Sequence, residues 1–115
     1  MNRGKLDVLA IGELNVDLIL NQIDSFPEMR KEKLAGSMVL TLGSSTAIFA
    51  ANLSSLGSKV GFLGKLGNDI FEKFVKDSLI EKNIDTSFVI SDDRISTGAT
   101  IALNYGEERA MVTYL

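Results

Sequence analysis

Apolar positions along the chain come in short runs divided by polar breaks, and the spacing inside each run predicts what it forms. Residues 6–11, "LDVLAI", are a short, mostly apolar run closed by Gly12, the pattern of a buried strand in a sheet covered on both faces. The next stretch, "GELNVDLIL" at 12–20, places Glu13, Asn15 and Asp17 in a turn and then becomes apolar again. Polar groups this close to core-type residues are either solvated at a strand end or engaged with something bound there. Residues 32–43, "EKLAGSMVLTLG", alternate loosely around Gly36 and predict an extended ribbon or edge strand. From Ser44 to Leu56 hydroxyl residues lead an Ala-rich segment with Gly57 just beyond it, which predicts a capped helix. Its portion 47–51 is apolar all round and is expected to be buried between layers.

Residues 59–64, "KVGFLG", read as a short strand, and 68–83 as an amphipathic helix ended by Asn83. Ile70, Phe71, Phe74, Val75 and Leu79 share one face of it, and Asp69 with Glu72 has capping-box spacing. Residues 86–90, "TSFVI", predict a further strand, and after "SDDRIS" the pieces 97–105 and 109–115 flank "GEE" as a β-hairpin. Helices spaced between buried strands make this an α/β protein with a parallel sheet built from crossovers.

Composition narrows the chemistry. With 45% apolar and 23% charged residues the chain reads as globular. A formal charge of −3 without a basic block, the two signs interspersed in "EMRKEK", favours neither nucleic acid nor an anionic membrane as partner. The chain has no Cys and no His, so serine-histidine and cysteine-histidine hydrolysis, thiolate metal sites and disulfides are excluded within it. No apolar run approaches a spanning length and no signal-peptide pattern opens the chain, so a cytoplasmic location is expected. At 115 residues it is short for its alternating pattern, and its final strand stops at Leu115 without turn or cap. The expectation is the front part of something longer.

Four segments, in order, carry a family resemblance. "AIGELNVDLIL", "TLGSSTAIFAANLSSLG", "VGFLGKLGNDIF" and "STGATIALNYGEERAMVTYL" together resemble the N-terminal part of the ribokinase-like (PfkB) carbohydrate kinases over almost the whole chain. The resemblance implies a three-layer α/β/α sandwich with a small β-sheet lid, present here as an N-terminal fragment, with lid strands at about 32–42 and 97–115 and the nucleotide-binding part absent. It implies ATP-dependent phosphorylation of a sugar hydroxyl in the complete protein, with Mg-ATP as cofactor there and none bound by this chain alone. The 115 residues by themselves are then expected to be inactive. The alternative is a non-catalytic sugar- or nucleoside-binding module. A dinucleotide-binding domain would need G-x-G-x-x-G after the first strand, which is missing.

By the same resemblance Asn15 and Asp17 belong to the sugar-contacting turn. An ionised carboxylate is acceptor-only and forms strong bonds to hydroxyl donors; on chemistry alone, Asp17 fits a local turn former equally well. Gly43 and Ser44 are the second substrate-binding pair, since a glycine at a helix start lets a ligand approach the backbone, although an ordinary N-cap explains Ser44, Ser45 and Thr46 as well. Thr97 and Ala99, with Gly98 and Ile101, are the lid candidates, and a homodimer through the lid strands is open to such a chain. Two departures bear on the substrate: Ser44 stands where many members have a second glycine, and Ile48 where many have a sugar-bonding asparagine. Asp69 in "GKLGND" reads as a helix cap and not as a catalytic base. No G-x-x-x-x-G-K-[ST] loop occurs, so no catalytic, cofactor or metal residue is assigned.

Overall fold

The structure, a computed structural model, describes residues 4–115. Its elements in chain order are β1 (Val8–Ile11), β2 (Asn15–Asn21), β3 (Ser37–Leu42), α1 (Ser45–Ser55), β4 (Val60–Gly67), α2 (Glu72–Glu81), β5 (Ile84–Asp85), β6 (Val89–Asp92), β7 (Gly98–Tyr105) and β8 (Glu108–Tyr114). They form two sheets. In the first, β4 is central and pairs in parallel with β1, β5 and β6. In the second the order is β3-β2-β7-β8, with a parallel β2/β7 pair between two antiparallel pairs. This second sheet holds the strands expected to form a lid.

The core follows from the alternation of β4. Val60, Phe62 and Leu66 point to one side and are fully buried with Ala47 and Ala50 of α1 and Val75 and Leu79 of α2. Alanines on α1 let that helix lie close to the sheet. Of the helical face expected over 68–83, Phe71, Phe74, Val75 and Leu79 do pack on this core. Ile70 does not: it precedes the helix and is 85% exposed. Asn83 ends the segment as expected, taking φ 59 just after Lys82 and donating its N–H to Ile80 O at 2.9 Å, a conformation asparagine tolerates.

Several expectations are corrected. The turn expected to hold Glu13, Asn15 and Asp17 is confined to the residues before Asn15, and Asn15–Asn21 is a central strand of the second sheet. Its alternation explains this: Asn15, Asp17 and Asn21 point to one face while Val16, Leu18 and Leu20 point to the other. The extended stretch at 32–43 is a strand only over Ser37–Leu42. The strand expected over 86–90 begins only at Val89, as β6, and is preceded by the short strand β5, which the reading did not foresee. Between them the Asp85 carboxylate accepts from the Ser87 N–H at 2.9 Å and hydroxyl at 2.7 Å, closing a local turn. The hairpin turn has two residues, with Gly106 at φ 62 in the first central position, where type II′ turns require glycine.

Burial of the first sheet on both faces is not seen either. Among the described residues α1 and α2 cover one face only, and on the other Ile11 is 67% exposed. The third layer of the sandwich is therefore not supplied by these residues. Likewise α1 buries Ala47 and Ala50 but leaves Ile48 and Phe49 exposed, because only one of its faces meets the sheet.

Candidate functional site

The site lies where the two sheets meet. β1 ends at Ile11, and the connection through Gly12 delivers Asn15 and Asp17 just beyond the C-terminal end of a parallel strand, the place where open α/β sheets hold ligands. β3 runs back along β2 so that Thr41 lies opposite Asp17 and Leu42 opposite Val16. The chain must then leave β3 directly beside the two polar residues. It does so at Gly43, whose N–H donates to Asn15 O at 2.8 Å. A Cβ on Gly43 would stand 2.4 Å from Asn15 Nδ2 and 2.7 Å from Asp17 Oδ1, so a side chain here would push both polar groups aside.

Asn15 and Asp17 are half-buried, and neither side chain has a hydrogen bond or ion pair to any described residue. Half-buried polar groups ordinarily find partners in the protein, in water or in a ligand. Register extends the polar face: Asp17 sits opposite Thr41 and Thr100, and Thr100 opposite Thr113, with 2.9 Å between the two hydroxyls of the last pair. The sequence reading missed these three threonines. Their signal was the strand alternation, which becomes informative only once the pairing partner is known.

Ser44 caps α1, its hydroxyl accepting from the Ala47 N–H at 3.2 Å. It does so at φ 81, a conformation costly for any residue with a Cβ. Ser44→Gly should therefore raise stability by about 1 kcal/mol, since glycine is itself an acceptable N-cap, whereas Ser44→Ala keeps the strain, loses the cap and should cost about 1 kcal/mol. Urea midpoints of the two variants check this, and the opposite order would contradict it.

The lid candidates separate. Ala99 lies opposite Val16 and packs toward the core, on the face away from Asp17. Thr97 is buried, and its hydroxyl is committed to Gly67 and Asp69. Gly98, opposite Asn15, is the lid residue beside the pair. The structure thus brings together Asn15, Asp17, Gly43 and Ser44, and turns Thr97 and Ala99 elsewhere. Two cavities flank the pair. One of about 530 Å³ is lined by Asn15, Glu13, Lys65 and Gly98 against an apolar wall that includes Ile11 and Ile95. The other, of about 470 Å³, holds Asp17, Thr41, Ile48 and Phe74.

Asp69 accepts from the Phe71 N–H at 3.1 Å, as a residue ahead of a helix does. It also accepts from Thr97, through the N–H at 2.8 Å and the hydroxyl at 3.0 Å. Burial raises its carboxyl, but these bonds and one from the Glu72 N–H outweigh that and hold it below the usual carboxylate range. The expected reciprocal bond of a capping box is absent, because the Glu72 carboxylate instead engages Lys76 and Ser91.

A parallel α/β layer joined to a second, four-stranded sheet, with Gly43 crossing beside an Asn/Asp pair at the junction, is the fold of the ribokinase-like sugar kinases. The chain belongs to the pfkB family carbohydrate kinases, whose profile matches residues 5–115. It is 35% identical over 103 residues to a 5-dehydro-2-deoxygluconokinase of Lacticaseibacillus casei, covering 90% of this chain and 29% of that protein. The fructokinase of Halothermothrix orenii superimposes with a TM-score of 0.78 at 27% identity, over 96% of this chain and 38% of that one. An uncharacterized sugar kinase of Pyrococcus horikoshii, solved in complex with ATP, matches at a TM-score of 0.75 and 27% identity, over 93% of this chain and 33% of that one. The chain thus spans about 29% of the length of the curated Lacticaseibacillus relative.

Proposed function

We propose that this chain is the substrate-binding portion of a carbohydrate kinase that transfers a phosphoryl group from ATP to a sugar hydroxyl, with Asn15 and Asp17 as the sugar-recognising pair. The observation that carries the reading is the pair itself: two half-buried polar side chains, packed against the backbone of Gly43, with no hydrogen-bond or ion-pair partner among the described residues. Asp17 offers acceptor oxygens to two or more hydroxyl donors, and Asn15 offers both donor and acceptor. Thr41 and Thr100 extend the polar surface on which a polyol lies.

The relatives' names support a substrate of the 5-dehydro-2-deoxygluconate kind. Ile48, exposed on the wall of the cavity that holds Asp17, makes no hydrogen bond and suits a ligand carbon without a hydroxyl. Magnesium and ATP belong to the reading only through the family and the ATP-bound neighbour. Among the described residues no three acidic side chains converge on a point that would hold a metal. Asp69 is already saturated by protein donors, and on this reading the chain alone binds sugar without turning it over. The apolar face of the lid, exposing Met38, Leu40, Ile101 and Val112, is assigned on the same reading to a second copy of the chain. Among the described residues no helix is long and apolar enough to cross a membrane.

Titration of isotope-labelled chain with 5-dehydro-2-deoxygluconate tests the reading by amide chemical shifts. The largest changes are expected at Asn15, Asp17, Gly43 and Ser44. Changes confined to the opposite end of the first sheet, around Lys5, Ser54 and Lys59, would contradict it.

A further inference from the structure

Thr97, immediately before β7, is one of the few buried polar residues of the chain. Its hydroxyl accepts from the Gly67 N–H at 3.0 Å and donates to Asp69 at 3.0 Å, while its own N–H donates to the other Asp69 oxygen at 2.8 Å. Around this knot there is no spare room. A Cβ on Gly67 would meet Asp69 Oδ2 and Ile95 O at 2.6 Å and Thr97 N at 2.7 Å. The end of β4, the connection into α2 and the start of β7 are therefore fastened at one point.

What hangs from that point is the sugar-recognising pair. Gly98, next after Thr97, lies opposite Asn15, and Thr100 lies opposite Asp17. Asn15 O in turn takes the Gly43 N–H. The ordered path runs from Asp69 through Thr97 and the first rungs of β7 to Asn15, Asp17 and Gly43. Capping of α2 does not account for the arrangement. Beside the Phe71 and Glu72 N–H groups at the start of α2, the Asp69 carboxylate takes two hydrogen bonds from Thr97, 28 positions away and outside that helix.

We infer that Asp69 and Thr97 are positioning residues: a latch between the α/β layer and the lid that sets where Asn15 and Asp17 stand. The inference rests on the reading of that pair as the sugar site, but its geometry can be measured without sugar. An acceptor-only carboxylate suits two donors from one residue. An amide at position 69 presents a donor to one of them and loses that bond. Valine at 97 keeps the shape and removes the hydroxyl, whereas serine keeps both bonds.

The test uses the labelled 115-residue chain and four variants, Asp69→Asn, Thr97→Val, Thr97→Ser and Val75→Ala. The last is a core control, with denaturant adjusted to match global stability. In Asp69→Asn and Thr97→Val, exchange of the Gly43 amide is expected to run about tenfold faster than in the control, the size set by losing one charge-assisted bond. The resonances of Asn15, Asp17 and Gly98 should shift in the same two variants, and Thr97→Ser should restore both to within about twofold of the parent. If Thr97→Val fails to fold, Asp69→Asn against Thr97→Ser decides by the same readings. Unchanged exchange at Gly43 and unmoved Asn15 and Asp17 resonances, with faster exchange only in the first turn of α2, would make Asp69 a helix cap and overturn the latch. Absence of sugar binding with these results intact would instead count against the sugar reading alone.

Discussion

Phe62→Ala is expected to lower the stability of the chain by about 4 kcal/mol, the range for deleting a large, fully buried aromatic side chain. Phe62 is 0% exposed and lies in the middle of β4, the one strand that pairs with all the others of its sheet. Its ring belongs to the cluster that includes Ala47 and Ala50 of α1 and Val75 and Leu79 of α2. The alanines facing it cannot lengthen to fill the space, so the cavity persists and its cost adds to the lost transfer free energy. Small domains carry a total stability of roughly 5–15 kcal/mol, and this chain leaves one sheet face uncovered. The variant should therefore be largely unfolded in mild denaturant. Urea melts followed by far-UV circular dichroism measure it, and a loss below about 1.5 kcal/mol would show that the core is not centred on β4.

The elements legible in the sequence were those whose apolar period is set locally. The alternation of Val60 and Phe62 and the helical spacing of Phe71, Phe74, Val75 and Leu79 lead to β4 and α2, although β4 runs on past the expected Gly64 to Gly67, and the hydroxyl-rich start of α1 marks its cap. What was not legible depends on pairing between distant segments. Residues 15–21 look like a turn followed by an apolar run until β3 and β7 take their places on either side. Only then do Asn15, Asp17 and Asn21 become one face of a strand. Ala99 shows the same dependence. A shift of one residue in register would turn it toward Asp17, and no feature of "TGATIALNY" fixes that register.

The candidate site divides along the same line. Asn15, Asp17, Gly43 and Ser44 are visible as polar or glycine interruptions of apolar runs, and the structure gathers them. Thr41, Thr100 and Thr113 join them through register alone. Asp69 was legible as a residue ahead of a helix, which its bond to Phe71 agrees with. Its two bonds to Thr97 span 28 positions of sequence, a distance over which no local pattern reaches.

The central claim is that Asp17 recognises sugar hydroxyls. Asp17→Asn keeps the side-chain volume and replaces an acceptor-only carboxylate with a neutral amide. Bonds to charged groups contribute roughly 1.5–3 kcal/mol, so affinity should fall by about ten- to 150-fold. Since the Asp17 side chain has no partner to lose among the described residues, folding should change little, and the urea midpoint of the variant should stay with that of the parent. Asp77→Asn, on the exposed side of α2 where the carboxylate pairs with Lys73, serves as a charge-matched control. The direct measurement is calorimetric titration of the parent and both variants with 5-dehydro-2-deoxygluconate. The account predicts parent-like binding by Asp77→Asn and at least about tenfold weaker binding by Asp17→Asn; equal affinity for the parent and Asp17→Asn would contradict it.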